Sequence, residues 1–579
     1  MSELFERHRA RLEGALAACA SREHFAPFVE SPSRRHHPEG AHEQGRARFE
    51  ARLGRSFPLS LPGEVGRVGA EVSPYTGEAL GIDYPAVELE GLLGAMGEAL
   101  PSWRDAGPRA RVGLCMEVLA RWEAGAFENA YATMHTAGQA FMLAFAGSGA
   151  SSLERGLEGL AYAHQAMSAI PASATYERAF GRGAPTRLHK RYRLIPRGIA
   201  AVVTCASYPA WNAYPSILAN LATGNPVVVK PHPGTVLPMA LAVAAGRAVL
   251  GEEGFDPNLL TLATGSREAP LTQALLTHPA TAIVDFTGSQ SFGAWIEERC
   301  ARKQVYTETS GCNAVIVEST DDLEGLLGAL AQGLCLFAGQ MCTTAQNVFV
   351  PQSGVRVSGA LLPFEAFEAR LVAAVDALAS DPARAAATCG ALADPGLPEA
   401  LAQVREEASR VGTVLREPSP YAHPEFPSAR TATPLRVRLD VDQDLSRQEH
   451  FGPVAFVIPC ADREAALARA TADAREQGSI ANYAYTCDPE FLGRVEDAFA
   501  EAGASVGINL SRQRPIGYTA AFSDFHVTGL NPAGNACLTD LAFVTNRFRI
   551  VQSKVELPPT PELAPAEPPP TELPTSTEE

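Results

Sequence analysis

Residues 198–231 read GIAAVVTCASYPAWNAYPSILANLATGNPVVVKP. GIAAVVT is a short β-branched run, a Tyr/Pro/Asn turn comes after it, PSILANLATGN reads as a short helix, and PVVVKP is a second strand. The rhythm continues downstream. TVLPMALAVAAGRAVLGEEG is a helix closed by Gly254, LLTLAT a strand, APLTQALLTH a helix, TAIVDFTGS a strand and loop, SFGAWIEERCARK a helix, and QVYTETSG and NAVIVES two more strands. Strands alternating with helices predict a parallel sheet with crossover connections, an α/β fold. A second α/β alternation runs from Asp321 to about Asn509. Upstream, residues 89–170 carry apolar residues at three- and four-residue intervals and read as helical, and RLHKRYRLIPRG, residues 187–198, reads as an edge strand. The first twenty residues read as an amphipathic helix and SPSRRHHPEGAHEQGRARFE as an irregular connector. The last 23 residues hold eight prolines and five glutamates, too little apolar surface to fold, and are expected to be disordered.

A chain of 579 residues exceeds one domain of usual size, so two or three are expected. The formal charge of −17 repels phosphate backbones and argues against a nucleic-acid partner. No uninterrupted apolar run reaches the roughly 18 residues of a membrane span, and the mixed charge of the start does not fit a secretory signal. Eleven scattered cysteines without a CxxC pair suggest neither a disulfide framework nor a zinc site, so no metal is expected, and they fit a reducing cytoplasm.

Five elements carry candidate chemistry. Asn212, in YPAWNAYP, offers a side-chain amide to a developing oxyanion, or merely stabilises its own turn. Lys230 ends a strand, where ligands of doubly wound sheets bind, or is a snorkelling surface lysine. In DFTGSQSFG, Gly288, Ser289 and Gly293 form a GxxxxG loop opening a helix, a place for a pyrophosphate or an ordinary turn. Glu308, in YTETSG, is a possible general base or a solvated glutamate. Cys342, in LFAGQMCTTAQ, has small neighbours that leave room for a substrate, while Cys335 lies in an apolar helical run and is assigned to packing.

Their order and spacing are more telling than any one of them. Asn212, Lys230, FTGS at 286–289, Glu308 with Gly311 and Asn313, GQMC at 339–342 and Glu449 with Phe451 in EHFGP, with SPYTGE at 73–78, together resemble the aldehyde dehydrogenase superfamily over roughly residues 70–550. The 34 residues between Glu308 and Cys342 match that family's interval. Within it, ASYPAWNAYP, LATGNPVVVKPHPGTVLP and TETSGCNAV look most similar to the PaaN-type proteins of phenylacetate degradation.

The resemblance implies a Rossmann-type cofactor domain, an α/β catalytic domain and a small oligomerisation flap. On that basis residues 1–70 are a helical extension, 71–305 the NAD(P)-binding domain with an oligomerisation strand near 186–195, and 306–510 the catalytic domain. Residues 511–555 are a return segment with a second flap strand, and 556–579 a tail. It implies Cys342 as nucleophile, Asn212 with the Cys342 backbone N–H as oxyanion holders, and Glu308 as the base that hydrolyses a thioester. Lys230, His232, Gly288, Ser289, Gly293, Glu449 and Phe451 would bind the cofactor. Where many NAD-preferring relatives carry a Glu three residues after the strand Lys, Pro233 stands here beside His232, which predicts NADP, with NAD as the alternative. The implied reaction is oxidation of an aldehyde to an acid, the substrate being a semialdehyde from ring-opened phenylacetyl-CoA, in a homodimer or homotetramer. A CoA-acylating aldehyde dehydrogenase or reductase and a catalytically silent binding protein on the same fold are the rivals. Two features depart from the family. Only 18 residues separate Asn212 from Lys230, and RPIGYTAAFSDFHVTGLNPAG replaces the late PFGGxKxSG stretch.

Overall fold

The sheet anticipated from residues 198–231 has five strands, all parallel. In space they run Leu260–Leu262, Val227–Lys230, Ile199–Val203, Thr281–Thr287, Gln304–Glu308. The chain enters at the middle strand, winds outward to one edge, then returns past the middle and winds to the other. The loops after Val203 and Thr287 therefore diverge, which opens a crevice at the carboxyl ends of the strands. The computed structural model describes residues 2–180, 185–266, 270–512, 517–527 and 539–558. The tail beyond residue 558 and much of 514–534 lie outside them.

A second sheet of seven strands spans residues 314–508, with only the edge pair Gly412–Arg416 and Leu435–Leu439 antiparallel. Its apolar residues, from Ala314 to Ala504, form a core separate from that of the first sheet. The strand Gln304–Glu308 belongs to the first sheet, so the division expected at 305/306 falls instead between Glu308 and Ala314. This matters because Glu308 is thereby held by the first sheet and reaches across the boundary.

Three antiparallel strands form a flap in the order Phe548–Glu556, Thr186–Pro196, Ser173–Arg178. Thr186–Pro196 is its central strand, not an edge: the partners on both sides come from segments whose alternation is weak in sequence. Both flanking strands are largely exposed.

The first seventy residues are more ordered than their polarity suggests. Helix Ser2–Ser21 buries Leu4, Phe5, Leu12, Ala15 and Ala18, which recur on one helical face, in the same core as the five-stranded sheet. The approach is close: a Cβ on Gly113 of helix Pro108–Ala124 would lie 2.7 Å from the Phe5 nitrogen. The stretch read as irregular holds a second helix, Ala41–Glu50, which packs by Gly45 and Phe49 on helix Ala126–Ala137. Its charged composition hides a face of only two buried residues.

Residues 89–168 form helices, as their periodicity predicts, broken at Gly107, Gly125 and Gly138 and by a π-turn at Ala146–Ala150. One boundary differs near the site. The helix expected from Pro215 starts at Pro209, so Asn212 sits in its first turn rather than in a loop. Pro209 occupies the first helical position, where a missing N–H costs nothing, and Pro215 is carried inside the helix. The C-terminal return is pinned by Arg547, whose guanidinium donates to Asp285 at 2.7 and 2.8 Å with both side chains buried, while Asn220 Nδ2 donates to the same carboxylate at 2.8 Å.

Candidate active site

The crevice at the switch point is the mouth of a cavity of about 720 Å³. Residues 203–208, 230–233 and 286–289 and Glu308 line it from the strand ends of the first sheet. Leu143, Gly147 and Ser151 come from the helices around the π-turn, Cys342, Glu449 and Phe451 from loops of the second sheet, and Tyr518 and His526 from the return segment.

Cys342 sits just after a strained turn. Phe337 and Ala338 both have φ 50° and Gly339 has φ 69°, a left-handed run that only Gly adopts without cost. A Cβ on Gly339 would stand 2.2 Å from the Gly452 carbonyl, so this turn lies directly on the segment carrying Glu449 and Phe451. Asn313 holds the backbone of the thiol and its neighbours in place. Its Nδ2 donates to the carbonyls of Cys342 and Thr344 at 2.7 and 3.0 Å, while its Oδ1 accepts from the Ile480 and Ala481 N–H groups. The sulfur is partly open to the cavity. Burial pushes its pKa well above the usual thiol value, and Glu308, Cys205 and Glu449 add to the effect. Cys335 is buried in helix Leu323–Cys335 and does not line the cavity.

Glu308 is 2% exposed and bridges two side chains. Asn212 Nδ2 donates to its Oε2 at 2.8 Å, and His526 Nε2 lies 3.1 Å from its Oε1. The same His526 nitrogen is 4.0 Å from Cys342 Sγ. Asn212, Glu308 and Cys342, assembled from three separate segments, thus converge as the spacing suggested, and His526 joins them.

On the cofactor side, Lys230 is 4% exposed and its ammonium donates to the Pro231 carbonyl at 2.7 Å. Burial pulls its pKa down to about 8. An ammonium has three donors; one bond is seen among the described residues, and sugar hydroxyls suit the other two. Helix Gln290–Arg299 points its N-terminus at the cavity past Gly288 and Ser289, whose hydroxyl accepts from the Phe292 N–H at 3.4 Å. The Glu449 carboxylate accepts from Ser310 Oγ, and burial raises its pKa. Phe451 is 40% exposed at the rim. His232 Nδ1 accepts from the Gly234 N–H at 3.1 Å, which ties the ring to its own turn. Gly293 is buried inside the helix and does not line the cavity. Buried donors, a helix N-terminus and a carboxylate spread along one wall fit a dinucleotide.

His526 escaped the sequence reading. SDFHVTG has no local pattern, and its only signal is an ionisable residue inside the segment that departs from the family's late motif. Two arginines hold that segment. Arg155 donates to the Ala520 carbonyl at 3.2 Å, and Arg22, just past the N-terminal helix, donates to the Ser523 carbonyl at 3.3 Å and lies 3.8 Å above the Phe525 ring. Glu158 ties both arginines together, at 2.8 and 3.2 Å.

The model of the aldehyde dehydrogenase family matches residues 67–529. The chain belongs to that family. Among solved structures, this aldehyde dehydrogenase family member is similar to the NAD-dependent aldehyde dehydrogenase of Burkholderia multivorans. They share 42% identity over 96% of this chain and 99% of that one, with a TM-score of 0.93. The betaine aldehyde dehydrogenase 2 of Rhizobium meliloti (strain 1021) is 32% identical over 48% of this chain and 55% of its own. A benzaldehyde dehydrogenase [NAD(+)] of Pseudomonas putida is 30% identical over 32% of this chain and 38% of its own. The chain thus spans about half the length of the first of these curated relatives, and less of the other. The α/β fold expected from the sequence is the aldehyde dehydrogenase fold, and among the described residues no helix is long and apolar enough to cross a membrane.

Proposed function

We propose that the protein oxidises an aldehyde to the free carboxylic acid with NAD(P) as acceptor, through a thioester on Cys342. The observation that carries this reading is the position of Glu308, buried between Asn212 and His526 beside the cysteine. The Cys342 S–H bond breaks, its proton passing to Glu308 and on to solvent, and the sulfur attacks the carbonyl carbon, forming the C–S bond as the C=O pair moves onto oxygen. Asn212 spends one N–H on Glu308 and has a second for the oxyanion, beside the Cys342 N–H. Nicotinamide, when bound, would supply the oxidising power for this conversion. Glu308 then takes a proton from water, the hydroxide adds to the thioester, and the C–S bond breaks to release acid. Lys230 would hold a ribose, the helix at Gln290 the pyrophosphate, Glu449 the nicotinamide ribose, and Phe451 the ring's outer side. Product analysis with and without coenzyme A tests this: free acid in both supports it, and a product formed only as the CoA thioester refutes it.

For the cofactor, Pro233 places no carboxylate against a 2′-phosphate, which supports NADP. The Burkholderia relative, described as NAD-dependent, supports NAD. Initial rates at equal cofactor concentrations decide between them. The substrate reading remains the PaaN-type one, a semialdehyde from ring-opened phenylacetyl-CoA, resting on the sequence around Asn212 and Lys230. Tyr208, Trp211 and Leu143 give the cavity an apolar wall that would suit such a chain or an aryl aldehyde. A coupled screen of CoA-linked semialdehydes against benzaldehyde separates the two. The flap, with both outer strands exposed, is the proposed site of dimer or tetramer formation, checked by light scattering.

A further inference from the structure

Three side chains from distant positions bring a sulfur, a nitrogen and an oxygen together at the cavity. Cys342 Sγ, His526 Nε2 and a Glu308 carboxylate oxygen all lie within 4.8 Å of one another. Nε2 stands 3.1 Å from Glu308 Oε1 and 4.0 Å from the sulfur. A tetrahedral zinc ion, with bonds of about 2.3 Å to sulfur and about 2.0–2.2 Å to nitrogen and oxygen, sets such atoms about 3.3–3.6 Å apart. The nitrogen and oxygen are already near that spacing, and the sulfur has to close by about half an ångström on the nitrogen.

Charge favours a cation at this point. His526 and Glu308 are both buried. Glu308, Cys205 and Glu449 oppose a lone thiolate on Cys342, and the arginines of the region, Arg155 and Arg22, are engaged with Glu158. A dication reverses that balance. With a thiolate, a carboxylate and a neutral imidazole as ligands, the assembly buries no net charge. The surroundings also hold the ligands in place. Asn212 Nδ2 donates to Glu308 Oε2 at 2.8 Å and leaves Oε1 beside the histidine. Asn313 Nδ2 donates to the Cys342 carbonyl at 2.7 Å, and the Trp211 ring meets His526 edge-on at 4.8 Å. Without metal, Nε2 carries the proton that it donates to Glu308. Nδ1 has no partner among the described residues, so no hydrogen bond there stops the ring from carrying its proton on Nδ1 and freeing the Nε2 pair.

We propose that Cys342, His526 and Glu308 form an inhibitory site for zinc. On binding, the thiol proton leaves to solvent and the ring proton moves from Nε2 to Nδ1 by exchange with water. Sulfur, Nε2 and Oε1 then each bond the ion. The cavity side, where the sulfur is partly open, leaves room for a water as fourth ligand. A thiolate and an imidazole select zinc over Mg²⁺ and Ca²⁺, which prefer all-oxygen ligand sets. The bound ion occupies the sulfur pair and the carboxylate together, so neither nucleophile nor base is available until the metal is withdrawn. Positions 308, 342 and 526 share no spacing that a metal motif would show, which is why the sequence does not announce the site. Metal binding here does not depend on the proposed oxidation, and it is read without aldehyde or cofactor.

The test titrates Co²⁺, a coloured stand-in, and then Zn²⁺ into the full chain, freed of metal by chelator and kept reduced with a phosphine. One equivalent of Co²⁺ should give a thiolate-to-cobalt charge-transfer band with the strong visible bands of four-coordinate cobalt, and one equivalent of Zn²⁺ should erase them. Cys342→Ser should lose the charge-transfer band, and His526→Gln should bind zinc at least tenfold more weakly. A band that persists in Cys342→Ser would assign the metal to another thiol, such as the exposed Cys487, and overturn the site, as would unchanged zinc affinity in His526→Gln. The natural protein gives a second reading if the variants do not fold. One equivalent of Zn²⁺ should slow alkylation of Cys342 by iodoacetamide at least tenfold, read by peptide mass spectrometry; chelator should restore it and Mg²⁺ should do nothing. Alkylation indifferent to zinc would overturn the proposal. Aldehyde oxidation should fall in step with zinc occupancy and return with chelator, and full turnover with zinc on Cys342 would overturn the inhibition. Zinc on Cys342 in a protein that oxidises no aldehyde would keep the metal site and overturn the proposed function.

Discussion

Glu308→Gln separates the two halves of the proposed reaction. The swap suits the site sterically: the new Oε1 can accept from Asn212 where Oε2 now does at 2.8 Å, and the new amide can donate to the His526 nitrogen now 3.1 Å from Oε1 once the ring carries its proton on Nδ1. No cavity forms, so the loss is mainly that of a base. Removing a positioned general base costs about 10²- to 10⁴-fold, equivalent to about 2.7–5.4 kcal/mol at 1.36 kcal/mol per decade. The cost should fall on hydrolysis alone. Rapid mixing with saturating aldehyde and cofactor should still give a burst of reduced cofactor close to one per active site. Steady-state turnover should drop by about two to four decades, and intact-mass measurement should find the acyl group on Cys342. Turnover within tenfold of the natural protein, or a lost burst with unaltered folding, would refute the assignment of Glu308 as the hydrolytic base.

Three other outcomes rest on the same geometry. Arg547→Met leaves the buried Asp285 carboxylate with Asn220 as its one remaining partner among those described; unfolding by denaturant should show a loss of about 3–5 kcal/mol, with Asp285→Leu/Arg547→Met recovering most of it. Since burial holds Lys230 at about 8, its ammonium is lost as pH rises through that value. Cofactor affinity, measured by titration of intrinsic fluorescence, should weaken above pH 8, and Lys230→Arg should remove that dependence. The sign for folding is opposite: the unfolded chain binds the extra proton, so this group adds stability as pH climbs from about 8 towards 10.5. Gly339→Ala puts a methyl 2.2 Å from the Gly452 carbonyl at φ 69°, and should slow both turnover and Cys342 alkylation by at least tenfold; unchanged kinetics would show that the turn does not position the thiol.

The first sheet was legible because its strands are short apolar runs punctuated by Gly and Pro, and Asn212, Glu308 and Cys342 stood out by order and spacing. What the sequence withheld has physical causes. Helix Ala41–Glu50 buries only Gly45 and Phe49, so its pattern is polar. The flap's central strand is exposed enough to look like an edge. Pro215 reads as a helix start although the helix runs through it. His526 owes its place to Arg155, Arg22 and Trp211, residues hundreds of positions away, and no local window contains that information.

Leu4 and Phe548 lie in one core, and Arg22 fastens the segment that carries His526. During synthesis the first sheet emerges early, yet its closing partners, Phe543, Arg547 and the flap strand Phe548–Glu556, leave the ribosome near the end. The nascent chain must therefore keep an unfinished core shielded while some 240 further residues are made after Glu308. Completion of the surroundings of Cys342 is then one of the last folding events, so a chain cut short before residue 526 carries Cys342 and Glu308 without the ring beside them.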